Sequence, residues 1–381
     1  MKKRETFLPY GHQSITEKDI QAVVETLRSP YLTQGPKIEE FEKSVAHYVG
    51  AKYAVAFSNG TAALHGACYA AGIVEGDEVI TSPITFVATS NAVLYCGGTP
   101  VFADIDEQTY NIDPNEILNK ITTKTKAIIP IDFTGQPVDL NKIMGIANEH
   151  NLVVIEDGAH SFGATYKGKK VGSQAHMTMF SFHPVKPITT GEGGIITTNS
   201  EEYYVKLRSF RSHGIGKTPY SAEQGEWYYE MMDLGYNYRM TDIQATLGLS
   251  QMNRIDRFIE RRREIAKLYN EKLAGIPAIT IPEQLTGTES GWHLYSIQIN
   301  SSLLSKPRKE IFEEMRALNI GVHVHYIPVY WHPYYQELGY EKGICPKAEK
   351  WYDHALTLPI FPEMTDEDVV DVVNALKKLI S

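Results

Sequence analysis

Two residues pose the chemical question. Asp157 lies in Ile155-Glu156-Asp157-Gly158-Ala159-His160-Ser161-Phe162-Gly163, and Lys186 ends Phe180-Ser181-Phe182-His183-Pro184-Val185-Lys186. Each follows an apolar, strand-like run, and in open α/β sheets ligands gather outside the carboxyl ends of strands, so one mouth can hold both. Two readings of the pair are open. They are strand-end surface charges, or they belong to a pyridoxal phosphate site, where a lysine forms a Schiff base with the cofactor aldehyde and a carboxylate keeps the pyridinium nitrogen protonated. The second reading needs a phosphate cup. Ser58-Asn59-Gly60-Thr61-Ala62-Ala63-Leu64 suits it, because a strand runs into a Gly-containing turn and then a helix whose first N–H groups face an anion. The same residue types also make an ordinary turn and helix cap. Ser181 adds a hydroxyl at a strand end.

Positioning such groups takes a sheet. Short β-rich runs at Tyr53–Phe57, Glu78–Thr81, Pro100–Asp104, Ala127–Asp132, Leu152–Glu156, Thr178–Phe182 and Gly194–Thr198 predict seven strands. Helical patterns at Thr61–Ala71, Thr85–Tyr95, Pro114–Lys120, Leu140–His150 and Glu202–Phe210 lie between or after them, several opened by cap-like residues. The alternation predicts an α/β fold around a largely parallel sheet, and near-continuous apolar runs such as Leu152-Val153-Val154-Ile155 fit a sheet covered on both faces. A long helical stretch follows from Arg239 to about Ala274. Its charged run, Arg257 and Glu260 to Glu264, reads as the solvated face of a helix. Beyond Gly275 shorter strands (Ile279–Ile281, His293–Ile299) and helices (Pro307–Leu318, Asp366–Leu379) predict a smaller α+β domain. The expected division is a large domain over 1–250 and a smaller one over 251–381.

Composition narrows the function classes. The 381 residues carry 37 Lys+Arg against 46 Asp+Glu, a net charge of −9, which disfavours a polyphosphate partner. Nucleic acid is therefore not expected. The three cysteines form no C-x-x-C pair, and neither a signal-peptide pattern nor an apolar window long enough for a membrane span is present, so a cytoplasmic enzyme off the membrane is expected. His323, His325 and His332 raise the question of a metal site, but nearby carboxylates are lacking and no metal is expected.

The segments Ser58–Leu64, Glu156–His160, Ser181–Lys186, Gly191-Glu192-Gly193-Gly194 and Gly235-Tyr236-Asn237-Tyr238-Arg239-Met240 resemble, in order, the DegT/DnrJ/EryC1/StrS family of nucleotide-sugar aminotransferases. The resemblance implies the fold-type I architecture of aspartate aminotransferase, with pyridoxal 5′-phosphate as cofactor. It also implies a homodimer with active sites at the subunit interface. By position, Lys186 is similar to the family's Schiff-base lysine, Asp157 to the partner of the ring nitrogen, His160 to the residue near the phenolic oxygen, and Phe86 to the aromatic stacked on the ring. Core at a helix start is the other reading of Phe86. Gly60, Thr61 and Ser181 match the phosphate cup, and Asn237 resembles an asparagine that reaches the phosphate from the neighbouring subunit.

The segments holding Tyr10, Tyr31, Thr33, His325, Tyr326 and His332 match the family's substrate-facing positions, with His323 and Trp331 read as structural. The run Ser181–Gly194 is similar to the branch acting in pseudaminic acid synthesis. That implies ping-pong transfer from L-glutamate, through an internal aldimine at Lys186, to C4 of a UDP-linked 4-keto-6-deoxy-HexNAc sugar. GDP- or dTDP-linked keto-deoxy sugars, and a catalytically silent cofactor-binding protein, are the alternatives. A lysine at 186 argues against a dehydratase relative, which carries histidine there. No Arg placed by motif clamps a distal carboxylate, which argues against a small amino acid as main substrate.

Overall fold

The computed structural model describes residues 3–216 and 218–380. Its centre is a seven-stranded sheet of β1 (Tyr53–Phe57), β2 (Glu78–Thr81), β3 (Thr99–Phe102), β4 (Thr125–Ile129), β5 (Val153–Asp157), β6 (Met177–Ser181) and β7 (Gly194–Thr198), ordered β1-β7-β6-β5-β4-β2-β3. Strands β3, β2, β4, β5 and β6 run parallel, and β7 runs antiparallel to both neighbours. Alternate residues leave each strand for opposite faces. Val55, Phe57, Val79, Ile129, Ile155 and Met179 enter one core with the helices Gly60–Ala70 and Glu201–Phe210. Ala54, Ala56, Phe180 and Ile195 enter a second, and Ile80, Ile128 and Val154 a third, on the other face. This two-sided burial is why the strands read as unbroken apolar runs.

The expected seven strands are all present, with Tyr53–Phe57, Glu78–Thr81 and Gly194–Thr198 at the expected limits. Three differences bear on the site. The helix expected from Thr85 begins at Ala88, so Phe86 precedes it. The single helix expected over 239–274 is two, Asp242–Met252 and Ile255–Leu273, parted at Asn253 and Arg254. The segment before β1, where the strand pattern predicts no element, forms helices Glu17–Arg28 and Pro36–Val49, and the first of these opens on a capping box of Thr16 and Asp19.

The C-terminal part is a three-stranded antiparallel sheet, β8 (Ile279–Thr280), β9 (Tyr295–Ile299) and β10 (Ala355–Leu358), in the order β8-β9-β10, covered by helices Ile255–Leu273, Arg308–Ala317 and Asp366–Ile380 around its own core. The chain start joins this part. Leu8 bridges Ile320 and packs in that core, and the Arg4 guanidinium pairs with Asp368 and Asp371. The expected boundary at 250/251 falls inside Asp242–Met252, so we propose the division at Asn253–Arg254, with the chain start around Arg4 and Leu8 assigned to the smaller unit.

Candidate active site

The register of three strands builds the site. Gly194 of β7 lies opposite Phe57 of β1 and opposite Ser181 of β6, and Asp157 ends β5 beside Met179. The exits of β1, β5 and β6 therefore meet at one edge. Gly194 must be glycine there, because a Cβ would lie 2.5 Å from the Asn59 carbonyl oxygen. Asn59 caps the helix Gly60–Ala70 by accepting from the Ala62 N–H at 2.8 Å. A Cβ on Gly60 would fall 3.2 Å from Ser181 Cβ, so the Gly60–Thr61 turn and the Ser181 hydroxyl face one another.

Asp157 is the last residue of its strand rather than the residue after it. The Thr89 hydroxyl donates to Oδ2 at 2.7 Å and the Ala159 N–H to Oδ1 at 3.1 Å, so both oxygens are held. Burial raises its pKa, against the pull of these donors and of Lys186. Lys186 sits in the turn after β6, its N–H donating to the His183 carbonyl at 2.9 Å. Burial, with the Arg262 guanidinium adding to it, lowers the Lys186 amine to about 8, while Asp157 pulls the other way. His160 is buried, its Nε2 3.3 Å from the Tyr326 hydroxyl, and its Nδ1 has no hydrogen-bond partner. Phe86 is 60% exposed with its ring 6.3 Å from that of Tyr326, so it is not helix-start core.

Tyr10 joins the cluster through His325, with ring centroids 5.2 Å apart, and His325 meets Tyr326 edge-on at 4.9 Å. His325 is itself buried, its Nδ1 3.1 Å from the Thr357 hydroxyl, and so stands behind Tyr10 and Tyr326. His323, expected to be structural, is exposed and stacks on His325 at 4.4 Å. Trp331, expected to be structural, donates to Glu349 at 3.2 Å. Among the described residues no hydrogen bond or ring contact links Tyr31, Thr33, Asn237 or His332 to Lys186 or Asp157. Tyr31 is exposed, Thr33 bridges Thr241, Asn237 bridges Ser212, and His332 borders a groove with Asn91, Tyr95 and Tyr335.

Two residues beside Lys186 escaped the sequence reading. His293 Nε2 is 3.5 Å from Lys186 Nζ, and its ring lies 4.6 Å from that of His160. Arg262 belongs to the charged run read as a solvated face, yet it is 0% exposed. It shares the buried stripe of Ile255, Phe258, Ile259, Ile265, Ala266 and Tyr269, a helical spacing that marks it as inward-facing. Its guanidinium donates to the carbonyls of Ile360 at 2.9 Å, Trp292 at 3.2 Å, His293 at 3.3 Å and Val185 at 3.5 Å.

Comparison with known proteins fits this geometry. Residues 13–377 match the DegT/DnrJ/EryC1/StrS aminotransferase family. The chain is 44% identical to the spore coat polysaccharide biosynthesis protein SpsC of Bacillus subtilis, over 100% of this chain and 99% of that one. It is 37% identical to the UDP-4-amino-4,6-dideoxy-N-acetyl-beta-L-altrosamine transaminase of Campylobacter jejuni, over 97% and 96%. Among solved structures, Helicobacter pylori PseC, an aminotransferase involved in the biosynthesis of pseudoaminic acid, superimposes with a TM-score of 0.92 at 33% identity, covering 98% of this chain and 99% of that one. The chain belongs to the DegT/DnrJ/EryC1/StrS aminotransferase family, whose members are pyridoxal-phosphate-dependent enzymes that aminate sugars.

Proposed function

We propose that the protein moves an amino group from L-glutamate to C4 of a UDP-linked 4-keto-6-deoxy-HexNAc sugar, with Lys186 bearing the pyridoxal phosphate. The observation that carries the site assignment is a half-buried Lys186 whose amine feels the charge of Asp157, with the two Asp157 oxygens held by Thr89 and Ala159, at the meeting point of three strand exits. The relatives named for a UDP-sugar transaminase and for pseudoaminic acid synthesis support the acceptor.

The residues suit the cofactor. Phe86 offers an aromatic face, Gly60, Thr61 and Ser181 frame a concavity for a phosphate, and His160 has a buried Nδ1 in need of a partner. Asp157, whose pKa burial raises, gains from a cation against it, and a protonated ring nitrogen is one. Asn237, exposed and without a hydrogen bond or ring contact to Lys186, is assigned to the site of a second copy, which makes the working unit a homodimer.

Bound pyridoxal phosphate supplies an aldehyde that carries nitrogen and a ring that withdraws electrons from the reacting carbon. The chain's own groups do the rest. Lys186 Nζ would take a proton from the donor's α-carbon and deliver it to the cofactor's C4′ carbon within the same half-reaction, and would move a proton the opposite way with the acceptor, which requires an uncharged amine. Lowering its pKa from 10.5 to about 8 raises the uncharged fraction at neutral pH by more than about two orders of magnitude. Arginine could not serve, since its guanidinium stays charged. With the cofactor bound, Asp157 would hold the ring nitrogen protonated, Phe86 would offer its aromatic face to the ring, and His160 would serve the phenolic oxygen. Tyr10 and Tyr326 offer hydroxyls and aromatic surface to the sugar, His325 supports them, and Tyr31, Thr33 and His332 are assigned to the outer part of the substrate path.

The test is an assay of purified protein with glutamate and a panel of UDP-, GDP- and dTDP-linked keto sugars, with the aminated product detected by mass. A UDP-4-keto-6-deoxy-HexNAc sugar is expected to be aminated in preference to the others. Preference for a GDP- or dTDP-linked sugar overturns the acceptor assignment, and no turnover with any acceptor or with glutamate alone overturns the enzymatic one.

A further inference from the structure

His293 and Arg262 have no part in the assignments above, yet they are the groups that surround the Lys186 amine on the side of the smaller unit. His293 stands just before β9, where Leu294 N–H donates to the Thr134 carbonyl at 3.1 Å, and the Arg262 guanidinium takes the carbonyls of both Trp292 and His293. The same guanidinium reaches the carbonyl of Val185, the residue before Lys186. One buried cation therefore ties the backbone under Lys186 to the backbone under His293.

We propose that His293 is a positioning residue for the Lys186 amine: its Nε2, 3.5 Å from Nζ, holds the free amine in place whenever the amine is released from the cofactor, and Arg262 holds His293. The proposal rests on Lys186 being the cofactor-bearing lysine. A released amine on a flexible four-carbon stem loses its aim unless something accepts from it, and an acceptor that took the proton would compete with catalysis. His293 meets both needs. It is fully enclosed, and burial, followed by the charges of Lys186, His160, Arg262 and His325 around it, keeps its ring neutral. A neutral imidazole has one nitrogen free to accept, and the nitrogen facing Lys186 is the one with a partner, since Nδ1 has none. His160 does not duplicate this role, because its Nε2 is engaged by Tyr326.

The charged groups acting on Lys186 are Asp157, which favours the ammonium, and Arg262, which opposes it. Against that fixed background, loss of an acceptor lowers the amine's pKa further. The test uses the full chain freed of cofactor, in wild type, His293→Leu, His293→Gln and His293→Asn. Acylation of Lys186 by an amine reagent is followed across pH by peptide mass, alongside steady-state kinetics of the holoenzymes. For wild type the labelling midpoint is expected near 8. For His293→Leu it is expected to fall by about one pH unit or more, with kcat down at least about tenfold and KM little changed. Glutamine, whose amide reaches the place of Nε2, restores both readouts, whereas the shorter asparagine behaves like leucine and serves in its place if the leucine variant does not fold. An unaltered midpoint and kcat in the leucine or asparagine variant, with the cofactor still mapped to Lys186, overturns this proposal alone. A cofactor mapped to another lysine overturns the functional reading with it.

Discussion

The strand-exit mouth and the segment from Trp227 to Leu234 reverse the usual partition between inside and outside in opposite senses. At the mouth, groups that water ordinarily keeps are withdrawn from it: Asp157, His160 and His293 are buried and Lys186 is half-buried, each with its pKa displaced by burial. In the segment, groups that cores ordinarily keep are in water: Trp227 is 80% exposed and Leu234 75%, with Tyr229, Met231 and Met232 beside them. Both arrangements cost an isolated protomer free energy, one by desolvating polar groups and the other by leaving a large apolar patch wet. The lesson is that the two costs call for different companions. Enclosed charges suit a small polar cofactor and substrate, and an exposed aromatic strip suits a second copy, whose Asn237 lies only a few residues beyond the strip.

Breaking the mouth has the largest expected effect. Lys186→Ala removes both the attachment point and the base, so turnover is expected to fall by about 10⁴-fold or more, with loss of the bound-cofactor absorbance. Asp157→Asn keeps the shape and removes the charge, so the cofactor stays and kcat drops by roughly 10²–10³-fold in steady-state assays. Near-normal kinetics in either variant would remove the corresponding assignment. Arg262→Met leaves buried carbonyls without their donor, and urea unfolding is expected to show a loss of about 3 kcal/mol. A change below about 0.5 kcal/mol would mean that the buried guanidinium is dispensable. Breaking the strip has the smallest effect on the protomer. Leu234→Ser is expected to weaken self-association by about tenfold in sedimentation equilibrium while changing protomer stability by less than about 0.5 kcal/mol. Unchanged association would remove the strip as a self-association surface.

The sheet was legible because its strands are short apolar runs bounded by turn residues, and Asp157, Ser181 and Lys186 sit at or just past their ends. The capping signals of the first two helices, Thr16 with Asp19 and Gly35 before Pro36, are present in the sequence but precede the alternation of strands and helices that marks the sheet. Arg262 was legible in principle: its place among Phe258, Ile259, Ile265 and Ala266 is inward, and the run of charge around it concealed that spacing. His293 was not legible. It meets Lys186 across 107 residues of sequence, and only the docking of β9 against the larger sheet's edge creates that contact. The Asn253–Arg254 break was also concealed, since neither Gly nor Pro marks it.

The central claim is that the cofactor is carried by one particular lysine. Reducing the holoenzyme with borohydride and mapping the pyridoxyl label by peptide mass tests it directly. The label is expected on Lys186 in near-stoichiometric amount. A label on any other lysine, or none in protein saturated with pyridoxal phosphate, contradicts the account.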